Sequence, residues 1–161
     1  MEFSFGPHGM DEPSWAPLDA RVLGALTWSG RKPGWPSGME FGIQYAHAKS
    51  KDESVARSAD FLDFRLGASW EWRPADWLIL CVGAGPRLAH AEVTRPGTLA
   101  EVTENDASLG VYAHVGTFVV VHGGFSIGLE GQSADGSDYD VLGASRDAAA
   151  AEILLALRWS F

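Results

Sequence analysis

The sequence has a single cysteine, only three lysines and no apolar stretch long enough for a spanning helix. The lone Cys81 lies inside an apolar run, which excludes a disulfide framework and a cysteine-based metal site and reads as a structural thiol, buried or facing lipid. The longest nearly unbroken apolar run, Trp77 to Gly85, falls far short of the roughly 20 residues that a membrane helix requires. A formal net charge of −9 leaves no basic stripe, so nucleic acid is excluded as a partner. Met1 to Phe5 has neither the basic start nor the long apolar core of a secretory signal, so an exported form is expected to be read here as the mature chain. The length suits one domain, expected over residues 1–161.

What is present is glycine, tryptophan and period-two alternation. There are 19 glycines and 7 tryptophans, an odd mixture for a soluble enzyme. Segments of about ten residues alternate between apolar and polar, the length and period of tilted membrane strands. In residues 61–73, Leu62, Phe64, Leu66, Ala68, Trp70 and Trp72 share one face. Asp63, Arg65, Gly67, Ser69, Glu71 and Arg73 share the other. Near the C-terminus Ile153, Leu155, Leu157, Trp159 and Phe161 alternate with Glu152, Leu154, Ala156, Arg158 and Ser160, after a run from Ala148 to Ala151 that has the composition of a helix start.

Further strands are expected at residues 2–6, 18–29, 39–49, 77–92, 108–121 and 124–133, making eight. The connections at 7–17, 50–60, 93–107 and 134–147 are long, and those at 30–38, 74–76 and 122–123 are shorter. Trp28, Trp35, Trp70, Trp72, Trp77 and Trp159 all fall beside the shorter set, and only Trp15 falls beside the longer. Indoles gather where an apolar band meets headgroups, so the fold class expected is all-β: an eight-stranded antiparallel up-and-down transmembrane β-barrel. A sheet in hydrocarbon must close, because an open edge leaves N–H and C=O groups unpaired. Alternation alone does not say which face is inside, and a soluble lipocalin-like barrel with an apolar cup is the alternative.

The chain resembles the eight-stranded outer-membrane barrels of the outer-membrane protein A (transmembrane domain) and outer-membrane protein X types, over nearly its whole length. The most specific element is the ending Leu157-Arg158-Trp159-Ser160-Phe161, which looks like the insertion signal read by the barrel-assembly machinery. Leu157, Trp159 and Phe161 carry that resemblance, and Ala156 stands where the signal often has glycine. The resemblance implies a Gram-negative outer membrane and contact with its lipid and lipopolysaccharide. No peptidoglycan-binding domain follows, so an anchoring role in the cell wall is not implied.

The inner face is expected to carry Asp19, Arg21, Glu40, Gln44, Asp63, Arg65, Glu71, Arg73, Arg87, Tyr112, His114, Glu130, Glu152 and Arg158. Eight strands leave an interior just wide enough for side chains, and buried charges need partners. A lumen charge network of Arg21, Asp63, Arg65, Glu71, Arg87, Glu130, Glu152 and Arg158 is therefore expected to fill the barrel rather than line an open pore. The strand glycines Gly42, Gly67, Gly83, Gly85, Gly110, Gly116 and Gly128 would make room for large side chains opposite.

No catalytic residue is assigned. Lipid A deacylase barrels place a His and a Ser two apart on a strand, and here His114 is followed by Val115-Gly116 and His47 by Ala48-Lys49. His90 is placed at the outer-leaflet interface without a nucleophile beside it, and His8 and His122 fall in a loop and a turn. The run Asp135-Gly136-Ser137-Asp138-Tyr139-Asp140 does not match EF-hand spacing, and it reads, like Glu101, Glu104 and Asp106, as a solvated acidic loop. Gly83-Ala84-Gly85 lacks both the spacing and the helix of a dinucleotide fingerprint. The expectation is a non-enzymatic barrel with a plugged polar lumen, no cofactor and no metal. Its role would be structural or loop-mediated, with a protein partner at the external loops or as a subunit of a larger assembly. The other readings are a narrow pore, a lipid A-modifying enzyme and the soluble ligand-binding barrel.

Overall fold

The structure, a computed structural model, describes residues 1–7, 20–32, 34–49, 58–97, 100–141, 144–146 and 149–160, with backbone alone at residues 20, 21, 144 and 146. Ten strands follow in order: β1 (Glu2–Pro7), β2 (Ala20–Arg31), β3 (Ser37–Lys49), β4 (Ser58–Ala75), β5 (Leu78–Arg95), β6 (Val102–His122), β7 (Phe125–Gly136), β8 (Tyr139–Val141), β9 (Ala144–Arg146) and β10 (Ala150–Trp159). Eight of them close an antiparallel barrel in the order β1-β10-β7-β6-β5-β4-β3-β2, and β8 and β9 form a separate hairpin. Among the described residues there is no helix. The alanine run at 148–151 therefore leads into a strand, because the period-two pattern after it decides its state.

Turn chemistry fixes the short end. Gly123 and Gly124 both take positive φ, 56° and 80°, between β6 and β7. That is the backbone of a two-residue hairpin turn whose twist matches its strands. Asp76 and Trp77 turn between β4 and β5, beside a register irregularity between Trp72 and Ala75.

Two expected long loops are shorter than the sequence reading gave. β5 and β6 stay paired out to Arg95 and Val102, so residues 93–107 are mostly strand. Residues 134–147 contain the end of β7 and the β8–β9 hairpin. β4, β5 and β6 run 18, 18 and 21 residues, against the roughly 9 to 11 needed to cross a bilayer. They overrun the membrane at the long-loop end.

The outer surface carries the apolar row predicted from the alternation: Phe64, Leu66, Trp70, Trp72, Ile153, Leu155 and Trp159 are exposed. Trp28 stacks on Phe41 at 5.9 Å, and Phe125 tilts against Trp159 at 6.0 Å. Trp28, Trp35, Trp70, Trp72, Trp77 and Trp159 are all exposed and lie toward the short-turn end. Trp15 lies outside the described residues.

Candidate functional site

The lumen is the site that the alternation builds, and it has two unlike halves. Toward the short turns it is mostly polar, around a small buried apolar cluster of Ile79, Cys81, Phe118 and Ala156. Asp63, Arg65, Glu71, Arg87, Glu130, Glu152 and Arg158 are each less than a tenth exposed. Burial at that level requires partners, because an isolated buried charge loses several kcal/mol of hydration.

Three carboxylate centres supply the pairing. Arg87 Nε meets Asp63 Oδ2 at 3.1 Å and Arg65 Nη2 meets the same oxygen at 3.4 Å. Glu71 gathers Arg31 Nη1 at 2.7 Å, Arg73 Nε at 2.8 Å and Arg158 Nη2. Glu40 Oε1 accepts from Tyr112 OH at 2.7 Å and lies 2.9 Å from His114 Nε2. The other ring nitrogen of His114 lies 3.6 Å from Glu130 Oε1.

Neutral amides join the centres. Gln44 Nε2 donates to both oxygens of Glu152 at 3.2 and 3.0 Å, Gln132 donates to Glu152, and Arg65 donates to Gln132. Arg65 also stands 5.4 Å over the Tyr112 ring. Glycine makes this crowding possible. A Cβ on Gly67 would lie 2.3 Å from Tyr112 OH, and one on Gly83 would lie 2.1 Å from His114 Nε2.

Toward the long loops the lumen is apolar, which corrects the uniformly polar interior read from the sequence. Leu23, Ala25, Ala46, Ala48, Ala59, Phe61, Ala89, Ala91, Val93 and Leu154 form one buried cluster, and Tyr139 and Val141 of β8 complete it. The hairpin is tied to β6 by Ser137 N to Leu109 O at 3.0 Å, and by Asp140 N to Asp106 Oδ2 at 2.7 Å. The expected solvated loop at 135–140 thus holds the fully buried Tyr139, and Val141 just beyond it is fully buried as well. The physical reason lies in the strands. Above the membrane, water replaces lipid outside, so the pattern inverts: Ala46, Ala48, Ala89, Ala91 and Val93 turn in, while Tyr45, His47, Lys49, His90 and Glu92 turn out.

Of the residues expected in the charge network, Asp63, Arg65 and Arg87 meet at one centre, Glu71 and Arg158 at a second, and Glu130 stands at the third. Glu152 is held by amides. The side chain of Arg21 lies outside the described residues, as does Asp19. Arg31 had been assigned to a turn, although its alternation with Ser29 and Thr27 puts it on the inner face. Cys81 faces inward and is buried. Leu157 and Trp159 face outward in β10, and Phe161 lies outside the described residues.

On the outer face, near the long-loop end, Asp60 Oδ1 accepts from Tyr45 OH and lies 2.8 Å from His47 Nδ1. This grouping joins β3 to β4, so no spacing along one strand could have revealed it. His90 also faces outward, as expected.

This closed antiparallel barrel with a charged interior and an apolar, tryptophan-edged exterior has the fold of the eight-stranded outer-membrane β-barrels. No family model matches the sequence, and no curated protein matches it. Solved structures match it in fold, two of them as follows. Neisserial surface protein A is 12% identical over 99% of this chain and 94% of its own, with a TM-score of 0.70. Ail, the attachment invasion locus protein of Yersinia pestis, is 13% identical over 99% of this chain and 95% of its own, with a TM-score of 0.67.

Proposed function

We propose that this chain is a non-enzymatic integral protein of a Gram-negative outer membrane whose lumen is plugged. In this reading it serves the envelope structurally or presents its external loops to a protein partner, alone or within a larger assembly. The observation that carries the reading is the double filling of the lumen. Ion pairs and amides occupy the short-turn half, and the β8–β9 hairpin packs Tyr139 and Val141 into the apolar half. A water-filled conducting path needs a wider, continuous polar interior. Leu157, Trp159 and Phe161 act as the signal for the assembly machinery, and lipid and lipopolysaccharide surround the apolar belt.

Two measurements test the proposal. Native cells are fractionated, and the protein is expected in the outer membrane; recovery in a detergent-free soluble fraction would defeat the membrane assignment. The purified barrel is reconstituted in a planar bilayer, where no channel-like conductance is expected. Steady conductance that persists when the β8–β9 hairpin is tethered would favour the narrow pore instead.

A further inference from the structure

We infer that the apolar half of the lumen is a binding cup for one small uncharged aromatic molecule, and that the β8–β9 hairpin fills it in the unliganded barrel as an exchangeable stopper. The inference goes beyond the plugged lumen proposed above, because it makes one of the two fillings permanent and the other removable.

The two fillings differ in where they come from. In the polar half the barrel strands themselves supply the large side chains, Arg65 from β4, Arg87 from β5, and Tyr112 and Phe118 from β6. In the apolar half the wall is largely alanine: Ala25, Ala46, Ala48, Ala59, Ala89 and Ala91, from β2 to β5, are all buried there. Large side chains just fill the interior of an eight-stranded barrel, and a methyl group does not reach its axis. The remaining space is taken by Tyr139 and Val141, both fully buried, from a hairpin that lies outside the barrel ladder. The cup thus already holds an aromatic ring, brought in by the chain itself.

The stopper is weakly built. β8 and β9 share three register pairs, from Tyr139–Arg146 to Val141–Ala144. A two-stranded hairpin of that size is marginal on its own in water. Its near end is a hinge: Ser137 N donates to Leu109 O at 3.0 Å, and Leu109 N donates to Ser137 Oγ at 3.2 Å. Beyond the hinge, Asp140 N donates to Asp106 Oδ2 at 2.7 Å, an exposed contact that water can replace. Burial of Tyr139 and Val141 is therefore the main hold on the hairpin, and a ligand that buries a similar apolar area can exchange with it.

The floor of the cup selects the ligand. The inward rows of β3, β4 and β5 pass from Ala46 to Gln44, from Phe61 to Asp63 and from Ala89 to Arg87. These polar groups are already engaged, Arg87 with Asp63 at 3.1 Å and Gln44 with Glu152 at 3.0 Å. A charge entering the cup would lose its hydration and gain no uncommitted partner on this floor. A neutral ring with one hydroxyl, the chemistry of the Tyr139 side chain, avoids that cost.

The test uses p-cresol, the tyrosine side chain as a free molecule, with the anion p-toluate for comparison. The folded barrel is dialysed to equilibrium against each in detergent, with empty micelles as the reference. Binding of p-cresol above the reference is expected, and none of p-toluate. Hydrogen exchange at residues 139–141 should quicken as p-cresol binds. Tyr139→Ala empties the cup, and Asp106→Ala loosens the stopper without touching the cup wall. Each should bind p-cresol about tenfold tighter than the native barrel, because a closed stopper lowers affinity by the fraction of barrels that are open. Unboiled gel mobility reports that both variants are folded. Equal binding of p-toluate, variants that bind p-cresol no tighter than the native barrel, or unchanged exchange at residues 139–141 overturns the cup.

Discussion

The two halves of the lumen are built from the same strands by opposite rules. In the short-turn half, β3 turns Glu40 and Gln44 inward and Phe41 outward; a few residues on, it turns Ala46 and Ala48 inward and His47 and Lys49 outward. β5 changes in the same way between Arg87 and Ala89. The strand geometry does not change at these points, since side chains still alternate. What changes is the solvent outside. Where lipid bathes the barrel, apolar groups belong outside and the interior takes the polar remainder. Where water bathes it, the burial of apolar groups runs the usual way. The line of inversion thus marks the edge of the hydrocarbon from within the sequence.

The largest test of this contrast is Asp63→Asn. It strips the charge that Arg65 and Arg87 share, and all three groups are buried. Removing one partner of a buried pair costs about 3 to 5 kcal/mol. Urea unfolding in lipid vesicles is expected to report a loss in that range; a loss under 1 kcal/mol would mean that water reaches the polar half freely.

Next in size is a pair of outward substitutions at different heights. Leu66→Arg lies within the lipid-facing row and should cost about 2 to 4 kcal/mol. Asn105→Arg lies above the inversion, opposite Glu92, and should be nearly neutral. Comparable costs at the two positions would show that the inversion does not follow the membrane edge. The smallest expected effect belongs to the apolar half. Val141→Ala removes two methyl groups from full burial, about 1.5 kcal/mol at about 0.8 per group. That loss should appear as faster proteolysis of the β8–β9 hairpin, with the barrel left closed.

The contrast also separates what was legible in the sequence from what was not. Eight strands, their order and the outward row of residues 61–73 followed from alternation and turn residues, because a closed barrel permits few arrangements of hairpin-connected strands. The charged residues of the polar half were legible for a similar reason, since charge at alternate positions of an otherwise apolar strand has few other uses. The apolar half was not. Ala46, Ala48, Ala89 and Ala91 are inward cues too faint to outweigh a rule set by their neighbours, since the inward parity of each strand holds throughout while the chemistry on it changes from polar to apolar. Pairings across strands, such as His47 with Asp60 and Arg31 with Glu71, depend on register, which short turns constrain but do not reveal.

The meeting of the first and last barrel strands bears on the order of assembly. β1 and β10 share four register pairs, while β5 and β6 share 18. The amino group of Met1 donates to Trp159 O at 2.8 Å, and Trp159 N donates to Met1 O at 2.7 Å. Every other seam of the barrel joins strands that follow one another along the chain, apart from the small hairpin between β7 and β10. Closing the β1–β10 contact from an unfolded chain would cost about 4 kcal/mol more loop entropy than closing a two-residue turn. Local zippering of the hairpins therefore comes first, and this seam latches last. Until it does, β1 and β10 each expose a row of unpaired backbone N–H and C=O groups open to pairing with another strand.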